Sequence, residues 1–540
     1  MRERRVWAGL VVLGSMAVLA ACGGGGGTGP IGGTPQRVEL LVGVSGSGSV
    51  RSQPAGIDCG SACRASFDAG SSVTLTTTPA VGQVFTGWDG ACAGTASTCT
   101  LAMNAARTTT ARFQAAPPAG GWGDLVRLAG SGAADPVVAI DAAGRATAVW
   151  RRLEPGTAQY HLWGSRSLGG SAWSTPERLE INPGNVSELR LAVDRSSGRG
   201  MLVWIQAGAT VDLHARPLDP SSGWGTAARA ETGAGMVGVS SVGVDASGNA
   251  VAVWSQIGPG PRFSIYANRY SAAGGWGSAA LIETNEVTGS VDGDPIVAVT
   301  PAGDAVAVWK RSNGISADLW TNRYAGGNWG TATQLVADAG TAQSIGRHDL
   351  AADARGNALL VWGQLDIGGG VANDAIWFKR YAGGGWSSSA ARVAPAVPNT
   401  QGTISTPLLR VNAAGAAAVA WVGFDTSLSA ATAAADGSFG SPATLRPAGS
   451  RAWTAPPALG IDDTGGAIAA WGDPDSLDLV ASRLVPGSGW TAAAAVEAYA
   501  DLAFGPALAM NESGNAVLAW SQLFPASGSE IVVRRYASGR

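Results

Sequence analysis

Short apolar runs, separated by turns rich in glycine, aspartate and asparagine, recur along most of this chain. One such stretch reads DASGNAVAVW and ends at Trp254. Eight related stretches, spaced 49–59 residues apart, end at Trp150, Trp204, Trp254, Trp309, Trp362, Trp421, Trp471 and Trp520. A period of about 50 residues is typical of repeat architectures, in which each repeat packs against its neighbours. The pattern therefore predicts eight copies of one unit.

A second aromatic position, preceded by glycine in most copies, interleaves with the first. It is occupied by Trp122, Trp173, Trp224, Trp276, Trp329, Trp386, Phe439 and Trp490. Fifteen of the 21 tryptophans therefore lie at two fixed positions of the repeat. Fixed positions at strand ends indicate packing between neighbouring repeats, whereas tryptophans that stack on sugars are expected at loop tips.

One repeat, residues 239–284, shows how the unit folds. It contains four strand signals, at residues 239–244, 250–254, 264–270 and 276–282. Asp245 and Gly248 lie between the first two, where aspartate accepts local backbone bonds and glycine adopts positive φ. Four strands in about 50 residues match one blade of a β-propeller.

The count of strands predicts how the array ends. Residues 122–128 form an extra fourth-strand signal before the first repeat, and the last repeat stops at Tyr536, where its own fourth strand should begin. The early strand can complete the last repeat and remove the free edges of an open array. We therefore predict an all-β, eight-bladed propeller over residues 122–540, with seven blades as the alternative count; an open β-solenoid explains the extra strand less well.

The N-terminus carries a targeting signal. Residues 1–22 begin with Arg2, Arg4 and Arg5, continue with an apolar stretch too short to span a membrane comfortably, and end in Leu-Ala-Ala-Cys22. This ending resembles the lipobox of bacterial lipoproteins, which implies that Cys22 is lipidated and becomes the first mature residue. The alternative is an ordinary secretory signal with a chance cysteine, and the flanks fit a twin-arginine signal poorly.

Lipoprotein resemblance also gives an expected location. Gly23 follows Cys22, whereas aspartate at that position would favour the inner membrane, so we expect an outer-membrane anchor. Residues 23–36 are a glycine-rich tether with an end-to-end distance of roughly 20 Å. A short Pro- and Gly-rich linker, residues 115–121, precedes the repeats.

Residues 37–114 form a separate small β-rich segment with runs of Val, Thr and Phe broken by glycine. Residues 54–59, Gly87, Trp88, Met103 and residues 111–113 resemble the divergent internalin-type B repeat of bacterial surface proteins. The resemblance implies a grasp-like module that serves as a spacer or adhesive unit.

Four cysteines remain in this segment once Cys22 is lipidated. An even number in an oxidising compartment indicates disulfides, with three pairings open. Short spacing favours Cys59 with Cys63 and Cys92 with Cys99. Zinc is the rival hypothesis, but three and six intervening residues differ from usual zinc spacings and no histidine is nearby.

Composition and charge add little chemistry. Charged residues make up 14%, glycine numbers 79, and the net charge is −3 without a basic stripe, so the sequence does not favour nucleic-acid binding. No nucleophile elbow, phosphate loop or His-Glu-x-x-His motif appears, and the three histidines, His161, His214 and His348, have no metal or triad spacing. We expect no cofactor or metal, and a monomer.

Two further sets of residues carry candidate chemistry. Calcium could bind the aspartate groups Asp292/Asp294 and Asp473/Asp475/Asp478, but their spacing is not that of an EF-hand loop. A third column, Trp163, Tyr266, Trp320 and Trp377, precedes Arg166, Arg269, Arg323 and Arg380 by three residues each. This odd offset predicts a packed aromatic face and a solvated arginine face.

These observations favour a non-enzymatic cell-envelope lipoprotein, attached to the membrane by its lipid, whose propeller binds a protein or glycan. The alternatives are an envelope-assembly scaffold, and a glycan hydrolase or lyase with its site at the channel mouth. The longest spacing, from Trp362 to Trp421, includes residues 366–374 and 395–406 and is the best place to look for a site.

Lipid anchoring can be tested directly. Replacing Cys22 with Ser removes the thiol that would carry the lipid, so the variant is expected to leave the membrane fraction and to lose labelling by a fatty-acid analogue. Replacing Cys99 with Ser is the control and should leave labelling unchanged. Labelling of Cys22→Ser at the level of the natural chain would contradict the assignment.

Overall fold

The computed structural model describes residues 36–539, and every regular element in that part of the chain is a β-strand. The omitted internal positions are 60–61, 81–82, 94–96, 116–119, 169, 171, 182, 259–261, 284–290, 314–315, 338–343, 369–370, 400–403, 436, 450, 452–454 and 500. Cys22, the signal segment and nearly all of the tether lie outside the described residues. No helix in the described ranges is long and apolar enough to cross a membrane.

Two compact units divide the chain, Met1–Pro117 and Pro118–Arg540. The first contains two four-stranded sheets. In spatial order, one holds Arg64–Asp68, Arg37–Ser45, Arg107–Ala115 and Gln83–Gly90, and the other holds Asp58–Cys59, Gly48–Gln53, Ser72–Pro79 and Thr98–Ala102. The two central strands of the first sheet run parallel.

The core of this small unit includes Leu40, Trp88 and Met103, together with the buried cysteines Cys59 and Cys92. In the structure Cys59 is joined to Cys63, and Cys92 to Cys99. Each bridge therefore links a buried cysteine of the core to a more exposed cysteine, and a unit of this size benefits from such links because its apolar interior is small.

The second unit contains eight antiparallel sheets in its described residues, numbered here 1–8 in chain order. The inner strands are Ala133–Ile140, Asn185–Val193, Val237–Val244, Val291–Val299, Ser344–Ala352, Thr406–Val411, Ala458–Ile461 and Ala503–Met510. The second strands are Ala146–Leu153, Gly200–Ala207, Ala250–Ile257, Ala305–Ser312, Ala358–Gly368, Ala417–Val422, Ala467–Gly472 and Ala516–Phe524. The third strands are Tyr160–Ser167, Val211–Asp219, Phe263–Ser271, Ala317–Ala325, Val371–Ala382, Leu428–Ala433, Leu479–Val485 and Gly528–Ala537.

The outer strands are shorter and mostly interrupted. They comprise Glu177–Arg178; Gly223–Trp224 and Ala228–Arg229; Gly275–Trp276 and Ala280–Leu281; Asn328–Trp329 and Thr333–Val336; Gly385–Trp386, Ala391–Arg392 and Val397–Pro398; Ala443–Arg446; Gly489–Trp490 and Ala494–Ala495; and Gly121–Arg127. The prediction of one continuous strand at residues 276–282 was wrong, because this stretch forms two short strands, Gly275–Trp276 and Ala280–Leu281. The amide of Asn268 donates to the carbonyl of Gly277 at 2.9 Å and so takes the place of a ladder bond.

The inner strands contact one another in order from sheet 1 to sheet 8, and the inner strand of sheet 8 contacts that of sheet 1. Eight core clusters fill the spaces between consecutive sheets, including the space between sheets 8 and 1, where Trp150 packs with Ala519 and Ile531. The repeat body is therefore a propeller-like ring of sheets.

The tryptophan that ends each repeat motif lies in the cluster shared with the preceding sheet. All eight are buried, seven of them at 1% exposure or less. In four sheets the indole N–H donates to the glutamine two residues later, as in Trp254 to Gln256 at 2.9 Å. This confirms that these tryptophans pack between repeats.

The strand predicted to complete the last repeat does so. Gly121–Arg127 pairs antiparallel with Gly528–Ala537, with Trp122 opposite Tyr536. The two rings meet edge-on at 5.3 Å. Arg127 also donates to the carboxylate of Glu530 at 2.7 Å. First and last repeats are thus held together by one shared sheet.

The predicted turn chemistry is confirmed in sheet 3. Oδ1 of Asp245 accepts the backbone N–H groups of Ser247 and Asn249, both at 2.9 Å. Gly248 has a φ of 84°, which a side chain would strain. The aspartate is therefore part of the turn.

The aromatic face of the third strands is packed as predicted. Arg269 and Arg323 are exposed, as predicted for the other face, whereas Arg166 and Arg380 are half-buried. Arg166 donates to the carbonyl of Pro220 at 2.8 Å, and Arg380 to that of Ala435 at 3.0 Å, each in the next sheet. The opposite strand face lies against the neighbour's outer turn, whose carbonyls need donors. At the ring seam Arg535 donates to Ser167 at 3.0 Å.

Ring closure predicts a specific effect of truncation. A chain that begins at residue 131 lacks the closing strand and Leu128, which is 8% exposed and whose burial stabilises by roughly 2 kcal/mol. It also exposes the edge of Gly528–Ala537, so it should melt earlier and aggregate. A chain that begins at residue 118 is the control and should remain monomeric. Equal melting temperatures by calorimetry, with both chains monomeric, would rule out closure by this strand.

Candidate functional site

Two cavities lie along the axis of the ring, at opposite ends of the inner strands. One, of about 520 Å³, is lined by residues of sheets 1, 2, 5 and 8 and by the segment entering sheet 7. The other, of about 510 Å³, is lined by sheets 2–6 and 8. We call them the bulge end and the turn end, because inner strands carry β-bulges at the first and lead into their turns at the second.

Bulges shift the register of six inner strands, those of sheets 1–5 and 8. Three bulge residues are acidic and have positive φ: Asp135 at 53°, Glu188 at 52° and Asp294 at 50°. Such backbone geometry in residues other than glycine costs about 1–3 kcal/mol and clusters at functional sites. Bulges also re-aim side chains beside active sites. The inner strands therefore hold carboxylates in strained positions at one end of the axis.

Each of these carboxylates has a basic partner. Asp135 accepts from Arg151 at 2.9 Å, and Glu188 from Arg190 at 3.0 Å. Arg347 lines the same cavity, is exposed, and has no carboxylate partner among the described residues. With three arginines and two carboxylates, the lining of the bulge end carries 3 − 2 = +1 charge.

Asp294 belongs to the neighbouring part of this end, where it pairs with Lys310 at 3.0 Å. His348, on the next inner strand, lies close to this pair. Burial lowers the pKa of His348 to about 4, so its ring is neutral at physiological pH.

At the turn end, polar groups of different sheets bond one another. Arg195 of sheet 2 reaches across the axis and donates to the carbonyl of Ile461 in sheet 7 at 3.4 Å. Asp349 accepts the backbone N–H of Leu409 at 2.8 Å, lies 3.6 Å from Arg410, and has its pKa raised by burial. The bulge end is the better candidate for a ligand, because it combines the strained carboxylates with Arg347, which has no carboxylate partner among the described residues.

A row of buried glutamates follows the outer strands of sheets 1, 2, 3 and 7: Glu180, Glu231, Glu283 and Glu497. In the first three sheets the carboxylate accepts a backbone N–H of the third strand, as from Leu162 at 2.9 Å. These carboxylates therefore accept hydrogen bonds from third-strand N–H groups that lie beyond the end of the outer strand. Sequence reasoning missed this row, although each of these glutamates stands seven residues after the second repeat tryptophan of its sheet.

Glu283 lies beside a second buried carboxylate, that of Asp292. Arg311 is 4% exposed and forms two bonds to Asp292, at 2.7 and 3.0 Å, while lying 3.7 Å from Glu283. One guanidinium serves two buried carboxylates. Burial, together with Asp292, raises the pKa of Glu283 to about 8.

The histidines are less incidental than the sequence indicates. His161 lies between two glutamates, with Nδ1 at 2.8 Å from Glu180 and Nε2 at 2.9 Å from Glu154. Its bond to Glu154 lowers the pKa of that carboxyl. His214 stacks on Trp204, and burial lowers its pKa. The partners come from other strands, so spacing alone did not reveal them.

The aspartates considered for calcium instead contact basic groups. Asp292 binds Arg311, Asp294 binds Lys310, and Asp473 and Asp475 both bind Arg446. Among the described residues no cluster of three or more acidic, histidine or cysteine side chains could hold a metal ion.

The spacing singled out in the sequence corresponds to sheet 5, which differs from the others. Its second and third strands, Ala358–Gly368 and Val371–Ala382, form the longest hairpin in the described part of the ring. The extra strand Val397–Pro398 pairs with this hairpin, and Asp374 accepts from Ser405 beside it.

Residues 50–117 match the family model of the divergent InlB B-repeat domain. This supports the resemblance of the small unit. The match begins within the strand Gly48–Gln53, so Arg37–Ser45 lies outside it. No curated protein matches the chain.

Several solved structures are similar to it at low identity. A lectin, BP39L, from Burkholderia pseudomallei is 12% identical, with 68% of this chain and 100% of that chain covered and a TM-score of 0.45. A polysaccharide lyase of the ulvan lyase family PL25 is 11% identical (76% and 95% covered, TM-score 0.43). A protein of unknown function from Dyadobacter fermentans is also 11% identical (78% and 99% covered, TM-score 0.35). Likeness at this level says nothing about the ligand of this chain.

The buried carboxylate pair predicts a pH-dependent stability. Because the folded-state pKa of Glu283 is raised to about 8, its contribution is fully present below its unfolded-state pKa and is lost as pH rises through 8. Glu283→Gln mimics the protonated form, so its melting temperature should fall less between pH 5 and pH 9 than that of the natural chain. Glu177→Gln, at an exposed position, is the control. Parallel melting curves for Glu283→Gln and the natural chain would contradict the raised pKa.

Proposed function

We propose that this protein is a lipid-anchored binding protein of the bacterial outer membrane, and that its ring is an eight-bladed propeller. In this proposal Cys22 carries the lipid, residues 23–36 form the tether, and the small disulfide-bonded unit is a spacer between anchor and propeller. The lipobox resemblance supports the anchor, and the B-repeat match supports the spacer. The circuit of inner strands supports the propeller.

The ligand is a glycan bound at the bulge end of the axis. The observation that carries this proposal is the cavity of about 520 Å³ lined by Arg151, Arg190 and Arg347 together with Asp135 and Glu188. Guanidinium groups donate hydrogen bonds and carboxylates accept them, so the lining can bond both oxygens and hydroxyl hydrogens of a sugar. A protein loop is the alternative ligand, since the same groups can bond a peptide backbone.

Arg347 has the most direct part in this proposal. Arg151 and Arg190 are already paired with carboxylates, whereas Arg347 has no such partner among the described residues. Its donors are therefore available without breaking an ion pair. A bond from a charged donor stabilises a complex by roughly 1.5–3 kcal/mol.

A glycan hydrolase or lyase is the second candidate, and the pair Asp135 and Glu188 favours it. Both carboxylates line one cavity and could act as acid and base beside a bound sugar. Incubation with candidate polysaccharides distinguishes this function, since cleavage releases reducing ends and simple binding does not.

Glycan-array binding by the full-length protein in detergent tests the leading proposal. At least one glycan should bind, and Arg347→Ala should weaken it by about tenfold or more, given the loss of a charged donor. Arg355→Ala is the matched control, because Arg355 is exposed in the same sheet but lies at the turn that follows the inner strand. If no glycan binds, or if both variants bind like the natural protein, the proposal is wrong; release of reducing ends would favour the enzyme instead.

A further inference from the structure

A groove of about 420 Å³ separates sheets 4 and 5, away from the axial cavities. Outer-strand residues of sheet 4 form one wall. Third- and outer-strand residues of sheet 5 form the other, among them Lys379, Tyr381 and Trp386. Arg323 and Gln334 reach it from sheet 4. The groove therefore combines aromatic, cationic and amide groups.

An insertion marks the sheet 5 side of this groove. In sheet 4 the outer strand runs six residues from Trp329 to Leu335, and the other sheets share this spacing. In sheet 5 it runs seven residues, from Trp386 to Val393, which donates its N–H to the third strand as its equivalents do. The extra residue lies beside Ser387, so the chain diverges from the repeat where the groove opens.

Tyr381 is the clearest sign that something binds there. It lines the groove, is 6% exposed, and its hydroxyl has no hydrogen-bond partner among the described residues. The equivalent Tyr324 accepts a bond from Arg269 of the preceding sheet at 3.1 Å. A buried hydroxyl without a partner is unfavourable, so a ligand atom that bonds to Tyr381 would relieve this cost.

The missing partner has a visible cause. Arg323 is the residue that corresponds to Arg269, but it donates to Asp304 of its own sheet at 2.9 Å. Sheet 3 has Asn249 at that turn position, which attracts no arginine. Aspartate at position 304 therefore draws Arg323 away from the tyrosine hydroxyl.

The charge of the groove indicates the chemistry of the ligand. Arg323 and Lys379 both line it, and no carboxylate does. Lys379 donates to the carbonyl of Leu335 at 3.2 Å and has no acidic partner in the described structure. Partial burial lowers the pKa of Lys379, so an anion placed beside it would stabilise its charged form.

We propose that this groove is a second binding site, for an acidic saccharide of the uronic acid class. The sugar carboxylate pairs with Lys379, a ring oxygen or hydroxyl bonds the hydroxyl of Tyr381, and the sugar packs against Trp386. Because the axial cavity contains carboxylates and the groove does not, the two sites differ in their preference for charge.

Calorimetry with trigalacturonate and neutral maltotriose, on the full-length protein in detergent, tests this inference. Trigalacturonate should bind and maltotriose should not bind the groove. Tyr381→Phe removes only the hydroxyl and should weaken trigalacturonate about fivefold. Lys379→Gln should weaken it about tenfold and flatten its dependence on salt. Tyr324→Phe, at the equivalent place between sheets 3 and 4, is the matched control and should bind like the natural protein.

The unpartnered hydroxyl makes Tyr381→Phe a mild change for folding, and a melting curve for each variant verifies that it is folded. The inference is overturned if trigalacturonate does not bind, if maltotriose binds equally well, or if Tyr381→Phe and Tyr324→Phe behave alike. If Arg347→Ala abolishes binding and Tyr381→Phe does not affect it, the sugar binds at the axis and the inference of a groove site is also overturned. Binding that Arg347→Ala leaves intact and Tyr381→Phe weakens supports the groove, whatever the outcome for the axial site.

Discussion

The tryptophan that ends each second strand is the contact on which the ring depends. A sheet of four short strands has two faces, and its inner three strands carry small residues that could pack in many ways. One indole per interface, buried between consecutive sheets, fixes their separation and angle. Its N–H must also be satisfied, which the glutamine two residues later does in four sheets.

Where that glutamine is replaced, the sheets acquire different chemistry. Arg311 occupies the position in sheet 4 and brings two carboxylates to itself, and Asp473 occupies it in sheet 7 and binds Arg446. The scaffold tolerates these changes because the indole still fills the interface. The polar residue that follows each repeat tryptophan thus varies from sheet to sheet, while the apolar clusters stay alike. This separation explains how eight similar units can present one asymmetric cavity.

Much of the fold could be predicted because its signals are local and repeated. The turn at Asp245 and Gly248, the tryptophan column and the extra strand at Trp122 all appear as short patterns in the chain. The destinations of the arginines could not be predicted, since Arg166 and Arg380 bond carbonyls about 55 residues away that only packing brings near. The same holds for the candidate sites. Arg347 gains its role from bulges in other sheets, and Tyr381 is unusual only because Asp304 holds its neighbour.

The shared sheet of the first and last repeats has a mechanical consequence. Any tension that travels along the chain from residue 117 enters the ring through Gly121–Arg127, whose backbone bonds to Gly528–Ala537 would carry the load first. When two paired strands are pulled along their length, all the backbone hydrogen bonds between them are loaded together. When one strand is peeled away from its end, these hydrogen bonds break one after another. The strand that completes the ring is thus also the point where the preceding chain joins it, and the force needed to open the ring would depend on the direction of pull across that one pair of strands.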